Sequence, residues 1–194
     1  MSTLVKSKHR IRDLGEVFTA EREVNAMLAL LPESVWSSIE TTFLEPSCGD
    51  GNFLEKILRR KLKLVPPKIS KTNPQHKIEY TLLRVAASMY GVDICSENVT
   101  DCRARLLQEI KDFWSNTYNT AKMSTSFLTR LEQILQRNII AGNTLIPEKV
   151  EVTEWFRPSE GTLKPKVYTL AEMQKPSPKP IREEKLITFY KDKE

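Results

Sequence analysis

Three short loops in this 194-residue sequence carry residue types suited to binding a nucleoside. The first, residues 45–51, places an acidic residue before two glycines that are one residue apart, and an amphipathic helix follows at once. Glycines let the backbone approach a ligand closely, and the free N–H groups of a helix N-terminus favour an anionic group. Because a Gly-x-Gly pair alone is a weak signal, its meaning depends on the other two loops.

The second and third loops add a carboxylate and an amide. Asp93 falls at the end of a short β-prone stretch, where a carboxylate can accept hydrogen bonds from both ribose hydroxyls. Asn143 follows Gly142 in the next turn, where its amide can contact an adenine edge. Each position also has a structural explanation: a tight turn at the glycines, a helix N-cap at Asp93, an ordinary turn at Asn143. Three such turns at one sheet edge favour a common binding site.

The elements that position these loops alternate between strand and helix. β-prone stretches precede the loops at residues 41–44, 90–94 and the start of 138–145, and apolar residues at helical spacing occupy residues 21–31, 53–58, 82–86, 96–110 and 126–136. This order predicts an α/β fold with a mainly parallel sheet flanked by helices. The polar, proline-rich residues 66–77 predict an exposed and mobile loop.

The pattern changes after Pro147. Residues 151–156 and 166–170 predict a β-hairpin about the turn at residues 158–161, with Trp155 favoured as a core residue over a platform for a base. The hairpin is expected to cover or extend an edge of the parallel sheet. We therefore divide the chain into a ligand-binding domain (residues 1–147), a hairpin extension (148–174) and a proline-rich linker with a charged tail (175–194).

Composition narrows the class of protein. The formal net charge of +5 permits an anionic partner such as nucleic acid without requiring one. The sequence has only two histidines, and its three cysteines lack C-x-x-C spacing, which argues against a zinc site and a Ser-His-Asp triad. The cysteines are predicted to be reduced thiols in a cytoplasm. No apolar run is long enough to span a bilayer, and no secretory signal begins the sequence. The sequence thus predicts a cytoplasmic protein without metal or membrane.

In order and composition, the motifs resemble the cofactor-binding half of amino-group DNA methyltransferases, notably the adenine-N6 enzymes of restriction–modification systems. Residues 43–54 (FLEPSCGDGNFL) resemble motif I, residues 90–94 motif II and residues 140–145 motif III, and residues 15–20 (GEVFTA) resemble the motif X that precedes them. The resemblance spans about residues 15–145. It implies an incomplete Rossmann-like methyltransferase fold that binds S-adenosylmethionine (SAM).

The resemblance also implies roles for individual residues. Thr19 would contact the methionine carboxylate of SAM, although Ala20 stands where the family usually has proline. Asp93 would hold the ribose hydroxyls, Ile94 would pack on the adenine ring, and Asn143 would face the adenine amino group. The remaining cofactor-binding residues that it implies are Glu45, Pro46, Cys48, Gly49, Gly51, Asn52 and Phe53 around the methionine moiety, and Leu145 in motif III.

The catalytic motif of this family, Asn/Asp-Pro-Pro-aromatic, is not found after Leu145, so we assign no catalytic residue. Three hypotheses follow. The chain is a SAM-binding module whose catalytic and recognition parts reside on another polypeptide, with DNA and a second subunit or second copy as partners. Alternatively, it is a non-catalytic sensor or scaffold that binds SAM or a similar nucleoside. The third is a methyltransferase remnant that binds nothing. In none of them do we expect the chain to methylate DNA alone.

Overall fold

A short parallel sheet brings the three loops to one edge of the molecule. In the computed structural model, which describes residues 19–119 and 121–190, its strands are β1 (Phe43–Glu45), β2 (Met89–Asp93) and β3 (Ile139–Ala141). β2 lies between the other two and pairs in parallel with both. Because all three strands run in one direction, their carboxyl ends share an edge.

Helices connect the strands and flank the sheet, which confirms the α/β architecture predicted from the sequence. They are α1 (Glu21–Ala29), α2 (Asn52–Leu62), α3 (Gln75–Ala87), α4 (Ser96–Thr117) and α5 (Thr125–Asn138), with 3₁₀ turns at Glu33–Trp36 and Pro147–Lys149. Each connection contains two helices: α2 and α3 precede β2, whereas α4 and α5 precede β3. The second helices of the two connections, α3 and α5, pack on each other.

A second, antiparallel sheet follows the parallel one. Its elements are β4 (Glu151–Phe156), β5 (Thr162–Thr169), the short helix α6 (Leu170–Met173), β6 (Arg182–Glu183) and β7 (Ile187–Thr188). β5 pairs with β4, β6 and β7. The predicted hairpin is therefore present, but it forms a separate sheet and does not extend the parallel one.

The two sheets meet on one face of β2. Side chains alternate along a strand, so neighbouring residues of β2 face different layers. A side chain at Gly91 would collide with Leu54 of α2 and with Cys48, which shows that this face lies against the helices. Val92 instead packs in a cluster with Val152 of β4 and Tyr168 of β5. The antiparallel sheet thus covers the face of β2 opposite to α2.

The segment predicted as a linker and charged tail contributes structure. β6 and β7 lie within residues 175–194 and pair with β5. Phe189 and Tyr190 pack against Tyr80 of α3, with ring centroids 5.5 Å away in both cases. Two-residue strands are too short to produce a recognisable alternation, so only the pairing and the aromatic contacts reveal them.

Asn138, at the end of α5, joins three parts of the fold. Its amide nitrogen lies 3.0 Å from the carbonyl oxygen of Met89 and 3.3 Å from those of Ala86 and Ala87. Its side-chain oxygen accepts a hydrogen bond of 2.8 Å from the Trp155 indole. Trp155 therefore satisfies a buried amide and packs against the core, consistent with the structural role expected of it.

The loop predicted at residues 66–77 is shorter in the structure. α3 begins at Gln75, so the last three residues of that segment are helical. Within the loop, the Ser70 N–H donates to the Asn73 carbonyl at 2.9 Å and the Asn73 N–H to the Ser70 hydroxyl at 3.0 Å. The Tyr118 hydroxyl donates to the Pro66 carbonyl. The first two bonds hold the loop's own turn, and the third attaches the loop to the residue that follows α4.

Lys61 of α2 is a buried cation, with 1% of its surface exposed. Its ammonium donates three hydrogen bonds, to the carbonyls of Ile39 (2.9 Å) and Thr41 (2.6 Å) and to the Ser88 hydroxyl (2.7 Å). It thereby ties the segment before β1 to the turn before β2. Burial penalises the charged form and lowers the pKa of Lys61 to about 8.

Lys61 makes a contribution to the stability of the protein that rises with pH. Between about pH 8 and the ordinary lysine value near 10.4, the unfolded chain binds a proton at Lys61 that the folded chain has released. Relative to a variant without a titrating group at this position, the free energy of unfolding of the wild type should therefore increase as pH rises from about 7.5 to about 9.5, measured by urea denaturation. The comparison is needed because the buried Cys48 thiol, whose pKa is raised, makes an opposite contribution in the same range.

Two variants isolate this effect. Lys61→Met removes the titrating group, and Lys61→Arg keeps a charge that does not titrate in this range, so both should lose the increase. An increase of the same size in wild type and both variants would show that other groups cause it.

Candidate functional site

The loop after β1 is shaped by two left-handed glycines. Gly49 has φ of 53° and Gly51 has φ of 95°, values that other L-residues adopt with difficulty. Within the loop the Gly51 N–H donates to the Cys48 carbonyl at 2.9 Å, and α2 begins at the next residue. No side chain caps the start of α2, which leaves its N-terminal N–H groups facing this edge of the sheet.

Asp93, at the end of β2, binds the loops on either side of it. Its Oδ2 accepts the Gly49 N–H at 2.9 Å. Its Oδ1 accepts the Cys95 N–H at 2.9 Å and the Asn98 side-chain amide at 3.3 Å. A carboxylate offers about four acceptor positions, so these bonds leave room for one further donor. Asp93 therefore joins the loop after β1 to the segment after β2, and most of its acceptor positions are occupied by the protein.

The loop after β3 joins the same edge. The Gly142 N–H donates to the backbone carbonyl of Asp93 at 2.9 Å, and the Thr144 hydroxyl lies 3.3 Å from the Pro46 carbonyl. Asn143 uses its side-chain oxygen to accept the Leu145 N–H at 3.0 Å, which stabilises the turn. The three loops predicted to share a site are therefore in contact through hydrogen bonds.

Two large apolar side chains line this edge without cover from the described part of the chain. Ile94 is 63% exposed and Leu145 is 89% exposed. Exposed aliphatic side chains beside convergent polar groups are typical of a ligand-binding surface. We call the set formed by Glu45, the residue 46–51 loop, Asp93, Ile94, Asn143 and Leu145 the rim.

Glu45 contributes an acid to the rim. It is the last residue of β1 and half-buried, and burial raises the pKa of its carboxyl despite a hydrogen bond from the Ser47 backbone N–H. The deprotonated carboxylate in this setting is poorly solvated, so a cationic group of a ligand would be attracted to it.

Cys48 and Phe53 face the interior rather than the rim. The Cys48 side chain is buried, and a hydrogen bond with Cys102 together with burial raises the pKa of its thiol, which keeps it protonated. Phe53 packs against the core. Any ligand contact predicted for Cys48 would have to be made by its backbone.

Thr19 is held against this site by Asn52. The Asn52 side-chain amide donates to the Thr19 carbonyl at 3.0 Å. The rest of the motif that resembles motif X, residues 15–18, lies outside the described residues. Thr19 is thus connected to the start of α2, directly after the first loop.

Sequence analysis missed three residues that support the rim: Asn98, Cys102 and Arg105. Asn98 donates to Asp93, Cys102 lies beneath Gly51, and Arg105 bonds to Asp50, Asn52 and Glu55. All three lie on α4, where nothing in their spacing separates them from ordinary helical residues. Their roles become visible only when α4 is placed beside the loop.

In the described residues no group of three or more His, Cys, Asp or Glu side chains is arranged to hold a metal ion. The same part of the chain contains no helix that is long and apolar enough to cross a membrane.

This chain is a mixed α/β protein with a three-stranded parallel sheet, flanking helices and an antiparallel sheet. No family model matches it, and no curated protein or solved structure matches it significantly. The rim is the feature of this structure that bears on its function.

The two glycines of the first loop should differ in their tolerance of a side chain. A Cβ on Gly51 would lie 2.7 Å from the Cys102 sulfur, whereas a Cβ on Gly49 would meet nothing within 4 Å. We expect Gly49→Ala to cost about 1 kcal/mol of stability through its backbone conformation alone, and Gly51→Ala about 2–4 kcal/mol. Urea denaturation of the matched pair measures the difference, and equal losses would contradict this packing.

Proposed function

We propose that this chain binds SAM at the rim, as the cofactor-binding part of a system related to adenine-N6 DNA methyltransferases of the restriction–modification type. Its parallel sheet would then be the first part of a Rossmann-like methyltransferase fold. The observation that carries the proposal is the junction of three loops at Asp93: its side chain binds Gly49 of the first loop and its carbonyl binds Gly142 of the third.

The chemistry of the rim suits the two ends of SAM. At one end, Ile94 and Leu145 offer apolar surface to an adenine ring, with the Asn143 amide beside them. Asp93, which precedes Ile94 and binds Gly49 of the first loop, would accept a ribose hydroxyl. At the other end, Glu45 supplies an anion for the amino group of the methionine moiety, and Thr19 is held nearby through Asn52.

The proposal includes a separate catalytic part. When bound, SAM supplies an activated methyl group, and an adenine amino group accepts it only if neighbouring acceptors draw its protons away. An Asn/Asp-Pro-Pro-aromatic loop performs this task in the family that the sequence resembles, and residues 146–194 contain no such motif. DNA would then be methylated only in the presence of a partner that contributes this loop and recognises the site.

The missing catalytic motif also favours a second candidate function, a non-catalytic protein that senses SAM or a similar nucleoside. Methyl transfer to DNA distinguishes the two. Transfer that appears when a partner polypeptide is added supports the first function, whereas transfer by the purified chain alone would refute both.

Binding of SAM can be tested at a residue whose replacement should not harm the fold. Ile94 is 63% exposed, so Ile94→Ala removes little packing from the free protein. If Ile94 packs on adenine, this variant should bind SAM about 5- to 30-fold more weakly, as for the loss of about 1–2 kcal/mol of apolar contact. Calorimetric titration of SAM into wild type and variant measures the change.

Ile181→Ala is the matched control, because Ile181 is 51% exposed and precedes β6, outside the rim. Its affinity for SAM should equal that of the wild type. If the wild type does not bind SAM, the proposal is wrong, and the hypothesis of a methyltransferase remnant that binds nothing is favoured.

Affinity for SAM should depend on pH through Glu45. Burial raises the pKa of this carboxyl above 4.5, so acidification neutralises the anion that would face the SAM ammonium. Affinity should therefore fall as pH decreases from about 7 to about 5, and Glu45→Gln should show a weaker and pH-independent affinity. The same decrease in Glu45→Gln would assign the effect to another group.

A further inference from the structure

We propose that Arg105 is a positioning residue that makes the rim prefer SAM over nucleosides without the amino-acid portion, an inference that rests on the proposed function. Arg105 lies on α4, and we expect it not to contact the ligand. It acts through Asp50 of the first loop and through Asn52, which holds Thr19. The residues concerned all lie on the side of the rim that would receive the methionine moiety.

Arg105 fixes the glycine loop through an ion pair. Its Nη2 lies 2.9 Å from Oδ2 of Asp50, which stands between the two left-handed glycines. Backbone hydrogen bonds hold both glycines, since the Gly49 N–H donates to Asp93 and the Gly51 N–H donates to the Cys48 carbonyl. The ion pair adds a side-chain anchor to these backbone contacts. Anchoring the Asp50 side chain therefore limits the orientations of the peptide groups on both sides of it.

Arg105 also orients the Asn52 amide. Its Nη1 donates to Oδ1 of Asn52 at 3.1 Å, and Nδ2 of Asn52 donates to the Thr19 carbonyl at 3.0 Å. A guanidinium can only donate, so the oxygen of the amide must face it and the nitrogen must face Thr19. Without Arg105, neither contact prevents the Asn52 amide group from rotating and losing its hydrogen bond to the Thr19 carbonyl.

The charge of Arg105 is engaged by acidic side chains of the protein. Nη2 pairs with Asp50, and Nη1 lies 3.3 Å from Oε2 of Glu55, whose other oxygen pairs with Lys56 and Arg59. These ion pairs direct the guanidinium toward carboxylates of the protein itself. We therefore assign the effect of Arg105 on binding to the groups that it holds.

The contacts of Arg105 predict a loss confined to one end of the ligand. In the described residues, its side chain bonds to Asp50, Asn52 and Glu55, and not to the nucleoside-facing residues Asp93 and Asn143. Removing it should weaken binding of a ligand that has the methionine moiety. A ligand with only adenine, ribose and a methylthio group should be bound as before.

The experiment compares SAM with 5′-methylthioadenosine, which lacks the amino-acid portion, by calorimetric titration. Arg105→Met should reduce affinity for SAM about tenfold and affinity for 5′-methylthioadenosine less than about twofold. Arg105→Lys keeps the positive charge for Asp50 but cannot bond to Asn52 at the same time, so it should shift the preference in the same direction while preserving the fold.

Arg103→Met is the matched control on the same helix, since Arg103 bonds to the carbonyls of Gln136 and Ile139 rather than to the first loop. It should leave the ratio of the two affinities unchanged. Combining Arg105→Met with Asn52→Ala should cost less SAM affinity than the sum of the two single changes, because Arg105 acts in part through Asn52.

The outcomes separate this inference from the proposed function. Equal losses for both ligands in Arg105→Met, or a wild type that binds both ligands equally, would overturn the positioning role while leaving a nucleoside site. A wild type that binds 5′-methylthioadenosine but not SAM would overturn the inference together with the SAM assignment. A wild type that binds neither contradicts the proposed function itself.

Discussion

The hydrogen bonds of the Asp93 carboxylate determine how the ends of the three parallel strands fit together. A buried carboxylate is costly unless donors surround it, and Asp93 obtains them from Gly49 of the preceding loop and from Cys95 and Asn98 of the segment that follows. The first loop can reach Asp93 only because Gly49 adopts a left-handed conformation. The donors that the Asp93 carboxylate needs therefore also determine the shape of the rim.

Close packing beneath the first loop reinforces this arrangement. Gly51 leaves room for Cys102 of α4, and Gly91 of β2 leaves room for Cys48 and Leu54. On the opposite face, the antiparallel sheet buries Val92. Helices thus cover one side of this sheet of three short strands, and the antiparallel sheet covers β2 and β3 on the other side, where Leu44 of β1 is 47% exposed. Within the described residues, Ile94 and Leu145 are exposed at its carboxyl edge.

The rim combines a firmly held backbone with exposed ligand-facing side chains. Asp93 and Arg105 form hydrogen bonds with other groups of the protein, whereas Ile94 and Leu145 extend into solvent. Such a division is suited to binding, because the geometry is fixed before a ligand arrives. We assign no described residue of the rim to the activation of an acceptor amine, so the proposed function includes a catalytic contribution from elsewhere.

The sequence by itself determined the strand and helix order, the parallel sheet and the convergence of three loops, since these follow from periodicity, glycine placement and the rule that parallel strands end on one edge. It could not reveal that Gly49 also donates to Asp93, that Cys48 faces inward or that Arg105 supports the first loop. These properties depend on contacts between residues more than forty positions apart, such as Gly49 with Asp93 and Asp50 with Arg105. The Cys95 and Asn98 donors, by contrast, lie within five positions of Asp93. The short strands β6 and β7 likewise form because they pair with β5, and this pairing belongs to the tertiary structure.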